Sequence, residues 1–111
     1  MTNWLDIGPL DAIAPRGARV VRTEHGCVAI FRTAEDEVFA LEDRCPHKAG
    51  PLSDGIVHGK SVTCPLHNWV ISLETGLAQG ADKGATPTVA ARVENGRVLL
   101  DAEYLKARSA A

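Results

Sequence analysis

Two short clusters of metal-ligating residues stand out in this chain of 111 residues. Cys45-Pro46-His47 and Cys64-Pro65-Leu66-His67 each pair a thiol with an imidazole, and sixteen residues separate them. Each is followed within a few residues by turn formers or an aromatic: Gly50 and Pro51 after the first, Trp69 after the second. That spacing predicts two loops that close on one metal centre. The rest of the chain is then the scaffold that holds the loops in place.

The order of the ligands narrows the metal. A Cys2His2 zinc finger groups its two Cys on a hairpin and its two His on a helix. Here each loop brings one Cys and one His, and no helix is predicted near either pair. C-x-H followed later by C-x-x-H is instead the arrangement of Rieske [2Fe–2S] centres, in which two Cys hold one iron and two His the other. Electrostatics explain what that ligand set achieves. Four thiolates make the oxidised cluster a dianion, whereas two thiolates and two neutral imidazoles leave it neutral. An added electron meets less repulsion, and the reduction potential rises. His47 and His67 are then the expected exit edge for the electron. A structural zinc module for protein binding stays open as the alternative on residue types alone.

The scaffold reads as strands and turns. Trp4 and the residues around it suggest a first strand, followed by a Pro- and Gly-bearing loop over the surface up to Gly17. Residues 18–22 suggest a second strand, and 27–32 a third, rich in β-formers. Glu35-Asp36-Glu37 makes a charged turn before 38–41 returns as a hairpin partner and runs into Cys45. A second hairpin is expected around His58-Gly59, and residues 69–73 form a further strand. Residues 77–87 are rich in Gly and Ala and read as a long loop. Residues 88–94 and 97–101 flank Asn95-Gly96, the dipeptide that tolerates the positive φ values of a type I′ turn. Residues 102–111 either form a short helical tail around Tyr104 and Leu105 or fray. Short strands punctuated by Gly, Pro and Asn predict an all-β chain of small antiparallel sheets with both loops at one end, as a single domain over residues 1–111.

Composition limits the classes of function. The formal net charge of −2 gives no reason to expect nucleic acid or an anionic membrane as partner. No apolar run approaches the length that spans a bilayer. No export signal is visible at the N-terminus, so the cytoplasm is the expected compartment. Three cysteines do not suggest a disulfide framework. Cys27, inside a predicted strand, is expected to be buried and structural. His25 and His58 are expected in solvated turns, and Lys48, Asp82 and Lys83 as ordinary exposed charges. The chain has no G-x-G-x-x-G fingerprint and no Ser/His/Asp constellation, so no catalytic residue is assigned.

Beyond these patterns, the sequence resembles the Rieske family across nearly its whole length. Cys45, His47, Cys64 and His67 coincide with that family's four cluster ligands. The run 64–76, CPLHNWVISLETG, with 78–84, AQGADKG, closely resembles the small subunit of assimilatory NAD(P)H-dependent nitrite reductases. Some small subunits of that group have lost the ligands, whereas this chain keeps all four. The resemblance implies one [2Fe–2S] cluster, an electron-transfer role in nitrate assimilation, and a large partner subunit with FAD, a [4Fe–4S] cluster and sirohaem that reduces nitrite to ammonium. The chain by itself is then an electron carrier within an oxidoreductase. The alternative is a Rieske ferredoxin that feeds a ring-hydroxylating dioxygenase. High-potential Rieske proteins carry an extra Cys in each loop and Ser and Tyr hydroxyls at the cluster. At those positions this chain has Gly50, Leu66, Trp69 and Ile71, which implies a low-potential centre.

Overall fold

Residues 28–31 form an apolar run without alternation, and the fold explains why: that stretch of strand is covered on both faces. The computed structural model describes residues 4–23, 26–43, 51–65, 69–79 and 84–101. Its strands, in chain order, are β1 (Trp4–Pro9), β2 (Ala18–Thr23), β3 (Gly26–Arg32), β4 (Val38–Glu42), β5 (Ile56–His58), β6 (Ser61–Thr63), β7 (Val70–Ser72), β8 (Thr88–Val89), β9 (Ala91–Glu94) and β10 (Arg97–Asp101). Among the described residues the helical pieces are two 3-10 turns, Leu10–Ala12 and Leu52–Asp54. The all-β expectation therefore holds, in three small antiparallel sheets ordered β1-β10-β9, β2-β3-β4-β8 and β5-β6-β7. The expected tail over 102–111 lies outside the described residues.

The β2-β3-β4-β8 sheet is the middle layer. On β3, Ala29 and Phe31 point to one side and join Leu41, Leu52, Val57, Val62, Cys64, Ile71 and Leu73 in a buried cluster. Val28 and Ile30 point to the other side and pack with Ile13, Val38, Ala40, Val89, Val98 and Leu100. The first cluster glues the middle layer to β5-β6-β7. The second glues it to β1-β10-β9. Each fully buried Val, Leu, Ile or Phe contributes roughly 1.5–3 kcal/mol relative to exposure.

Three sequence expectations change. Residues 88–94 were expected as one strand but split at Ala90: β8 pairs with β4, and β9 pairs with β10. The segment 10–17 was expected to run over the surface, yet Ile13 within it is 1% exposed. Arg32 holds that segment down by donating from Nη1 to the Ile13 carbonyl at 2.7 Å. The long loop after Gly76 folds back as a short β-arm, with bridges Ile71–Ala78 and Leu77–Ala85. The turn at Asn95-Gly96 forms as expected, with φ values of 53° and 75°.

Candidate functional site: two loops on one buried cluster

The second ligand loop is the tip of a hairpin. β6 and β7 pair as Thr63–Val70, and one residue further on the Cys64 amide donates to the Trp69 carbonyl at 2.7 Å. That bond extends the β6–β7 ladder by one rung toward the segment that carries the second pair of expected ligands. Cys64 itself is 1% exposed and belongs to the cluster formed by Leu52, Val62, Ile71 and Leu73. Trp69 is half-buried and packs on the same cluster.

The first loop has a different construction. It leaves β4 after Glu42 and returns through Pro51 into the 3-10 turn Leu52–Asp54, and so passes from the middle sheet to the outer one. At its start, the Asp43 amide donates to the Cys27 carbonyl at 2.9 Å. Asp43 Oδ1 accepts the Ser53 amide and Oδ2 accepts the Ser53 hydroxyl, each at 2.7 Å. At its return, Leu52 is fully buried in the cluster that holds Cys64. Gly55 then lies so close to β6 that a Cβ there would collide with the Thr63 carbonyl oxygen. The return of the first loop and the start of the second therefore share one packed neighbourhood.

Of the four expected ligands, Cys64 is described, while Cys45, His47 and His67 lie outside the described residues, as do Gly50, Leu66, His25, Lys48, Asp82 and Lys83. The chemistry around Cys64 suits an iron–sulfur group. Its neighbours in the cluster are all apolar. An unpaired thiolate would be costly there, and a metal ion bound to the sulfur removes that cost. An apolar shell also limits solvent access to a bound cluster, which affects its potential.

Other singled-out residues fall elsewhere. Cys27 is exposed, not buried as expected, because it pairs with exposed Arg22 at the start of β3, beyond the fully buried stretch 28–31. His58 ends β5 and is exposed, with Nε2 2.7 Å from Thr63 Oγ1. The acidic turn is a solvated one, as expected: Asp36 pairs with Arg32 at 2.7 Å and Glu37 with Lys60 at 3.6 Å. The Asp43–Ser53 contact had no signal in the sequence, since a carboxylate and a hydroxyl ten positions apart match no local pattern.

Fold and site together define a small all-β fold in which Leu52 and Cys64, which flank the two ligand-bearing segments, share one apolar cluster with a buried thiol. The sequence profile of the Rieske-like [2Fe-2S] domain matches residues 3–101, and the chain belongs to that family. The family's cofactor is one [2Fe–2S] cluster, and the domain is an electron-transfer domain. Among relatives, the ferredoxin component of the naphthalene 1,2-dioxygenase/salicylate 5-hydroxylase systems of a Ralstonia species is 34% identical, over 91% of this chain and 97% of that protein. The 4beta-methylsterol monooxygenase of Methylococcus capsulatus is 44% identical over 51% of this chain, a match that spans only 15% of the monooxygenase. Among solved structures, one described as an NADH-dependent nitrite reductase small subunit from Mycobacterium tuberculosis superposes with a TM-score of 0.78 at 25% identity, covering 90% of this chain and 95% of that one.

Proposed function

We propose that the chain is the electron-transfer small subunit of an NAD(P)H-dependent nitrite reductase, with its [2Fe–2S] cluster held by Cys45 and Cys64 on one iron and His47 and His67 on the other. One observation carries this choice. The β-arm returns to the second loop: the Gln79 amide donates to the Val70 carbonyl at 2.8 Å and the Ala78 amide to the Gly84 carbonyl at 3.0 Å. The two runs that resemble nitrite reductase small subunits, 64–76 and 78–84, are thereby joined next to the cluster loop. A partner that recognises the cluster end meets both.

When bound, the cluster accepts and passes on one electron at a time. The chain's own residues hold it: Cys64 supplies a sulfur from a dry cluster, the Cys64–Trp69 bond fixes the hairpin tip, and Leu52 anchors the return of the first loop. Nitrite reduction itself belongs to a large subunit carrying FAD, a [4Fe–4S] cluster and sirohaem, and the cytoplasm is the compartment that suits such a complex. Among the described residues no helix is long and apolar enough to cross a membrane.

The test is substitution in the assembled complex. Cys45→Ser and His67→Ala are each expected to abolish NAD(P)H-dependent nitrite reduction while the large subunit still co-purifies. Unchanged turnover would remove the electron-transfer role. The second reading, a ferredoxin for a ring-hydroxylating dioxygenase, is favoured by the 34% identity to the Ralstonia ferredoxin component across nearly both full lengths. Stable co-purification with a sirohaem protein excludes that reading, and efficient electron delivery to an oxygenase without such a partner supports it. Iron and acid-labile sulfide content decides against or for a zinc module before either test.

A further inference from the structure

The two loops are closed by different means. The second is a hairpin tip, so the β6–β7 ladder brings its ends together. The first runs between two different sheets, and among the described residues no ladder joins its ends. A side-chain bridge stands in the place of the missing ladder: both carboxylate oxygens of Asp43 accept from Ser53, across the nine residues 44–52. Both residues are partly buried. Two hydrogen bonds in parallel fix direction as well as separation. Each end is in turn anchored. The amides of Glu42 and Asp43 donate to the carbonyls of Pro87 and Cys27, and Ser53 follows the fully buried Leu52.

We propose that Asp43 and Ser53 are positioning residues for the cluster, a clamp that holds the ends of the first loop at a set separation so that Cys45 and His47 meet Cys64 and His67. The proposal rests on the reading of Cys45 and His47 as ligands. Without the clamp, the closure entropy of a loop bridging two sheets falls on cluster binding itself. With it, much of that cost is met when the chain folds, which is how supporting residues make metal ligands precise. Cys45 stands two positions after Asp43 in the sequence.

The experiment uses the cluster-loaded protein and four variants: Asp43→Ala, Asp43→Asn, Ser53→Ala and Cys45→Ser. Two quantities are read, the rate at which visible absorbance is lost to an iron chelator and the line shape of the reduced paramagnetic signal. Removal of residues that orient metal ligands typically weakens metal affinity about 10–100-fold. Asp43→Ala is therefore expected to lose its cluster about tenfold faster or more, with a broadened signal. Asn can accept the Ser53 amide through Oδ1 and donate to the hydroxyl through Nδ2, so Asp43→Asn is expected to restore the wild-type rate and line shape. Ser53→Ala keeps one of the two bonds and should fall between. A wild-type rate and signal in Asp43→Ala overturns the proposal, as does faster loss with an unchanged signal, which marks general destabilisation. Should Asp43→Ala fail to fold, Ser53→Ala decides in the same way. Cluster retention in Cys45→Ser would instead overturn the ligand reading, and so separates that failure from failure of the clamp.

Discussion

The Cys64 amide donates to the Trp69 carbonyl at 2.7 Å, so the residue that offers a buried thiol and the aromatic that packs on its cluster form one rung of a hairpin. The Trp69 backbone closes the loop, and its ring covers the cluster that contains Cys64. The two roles separate on substitution. Trp69→Ala keeps the backbone bond and loses the cover. Full Trp truncation in a core costs about 3–5 kcal/mol, and a half-buried ring should cost about 2 kcal/mol. Thermal bleaching of the cluster is expected to begin at lower temperature in Trp69→Ala and close to wild type in Trp69→Phe. Equal bleaching in all three would show that the ring contributes no cover.

A glycine pair tests the β-arm. Gly76 has φ +75°, and a Cβ there would also collide with the Thr86 carbonyl oxygen, whose own amide donates back to the Gly76 carbonyl at 2.8 Å. Gly59 has φ +57° with open space around it. A left-handed conformation costs a side chain about 1–2 kcal/mol. Gly59→Ala should lose about 1 kcal/mol on that account, whereas Gly76→Ala adds a backbone clash and should lose about 3 kcal/mol or the soluble protein altogether. Denaturant unfolding of both variants measures the contrast. Equal losses would mean that the arm yields freely.

Much of the fold was legible because its signals are local. Asn95-Gly96 marks a type I′ turn by residue type, and the acidic turn before β4 by charge. The paired Cys and His give a signal of the same local kind, and of the four, Cys64 lies among the described residues. What was hidden depends on contacts far apart in sequence. Nothing at Ala90 marks the point where the chain leaves the β4 edge to join β10, and nothing near Trp4 shows that β1 pairs with the last strand. Ile13 directly precedes the Pro- and Gly-bearing stretch of a loop expected over the surface, yet β10 and the middle sheet enclose it. Cys27 misled in the other direction. Its residue type favours burial, but the register opposite Arg22 carries it past the covered part of the sheet. The Asp43–Ser53 bridge exists only because a turn brings position 53 back beside the end of β4.

Acid stability offers a test at the β1–β10 edge. Asp6 is held below its ordinary 3.8, first by the Arg97 side chain, which donates at 3.1 Å, and then by the Gly8 amide at 2.9 Å. The folded state then binds fewer protons than the unfolded state between the two pKa values, so stability rises with pH across that window. The contribution is present above pH 3.8 and is lost as pH falls through the lowered value. Asp6→Asn should lower the unfolding midpoint at neutral pH and converge with wild type in strong acid. Both groups are exposed, so the difference should be small and shrink with added salt. A constant gap at every pH would assign the effect to side-chain shape rather than to charge.

The reduction potential bears on both readings of the function. Rieske centres span about −150 to +300 mV, and hydrogen bonds to the sulfurs are among the terms that raise the value. High-potential Rieske proteins, from which this chain departs, carry hydroxyls at the positions of Trp69 and Ile71. Here Ile71 is fully buried in the Cys64 cluster and Trp69 packs against it, and neither side chain carries a hydroxyl. With Gly50 and Leu66 in place of the extra cysteines, no disulfide is expected beside the cluster. The midpoint should therefore lie near the low end of the range, about −150 mV. Such a value lets a reduced nicotinamide, passed through a flavin, fill the cluster. A redox titration followed by the reduced paramagnetic signal measures it directly. A midpoint well above zero would mean that the sulfurs receive hydrogen bonds from elsewhere in the loops, and a carrier so oxidising could not drive a strongly reducing partner.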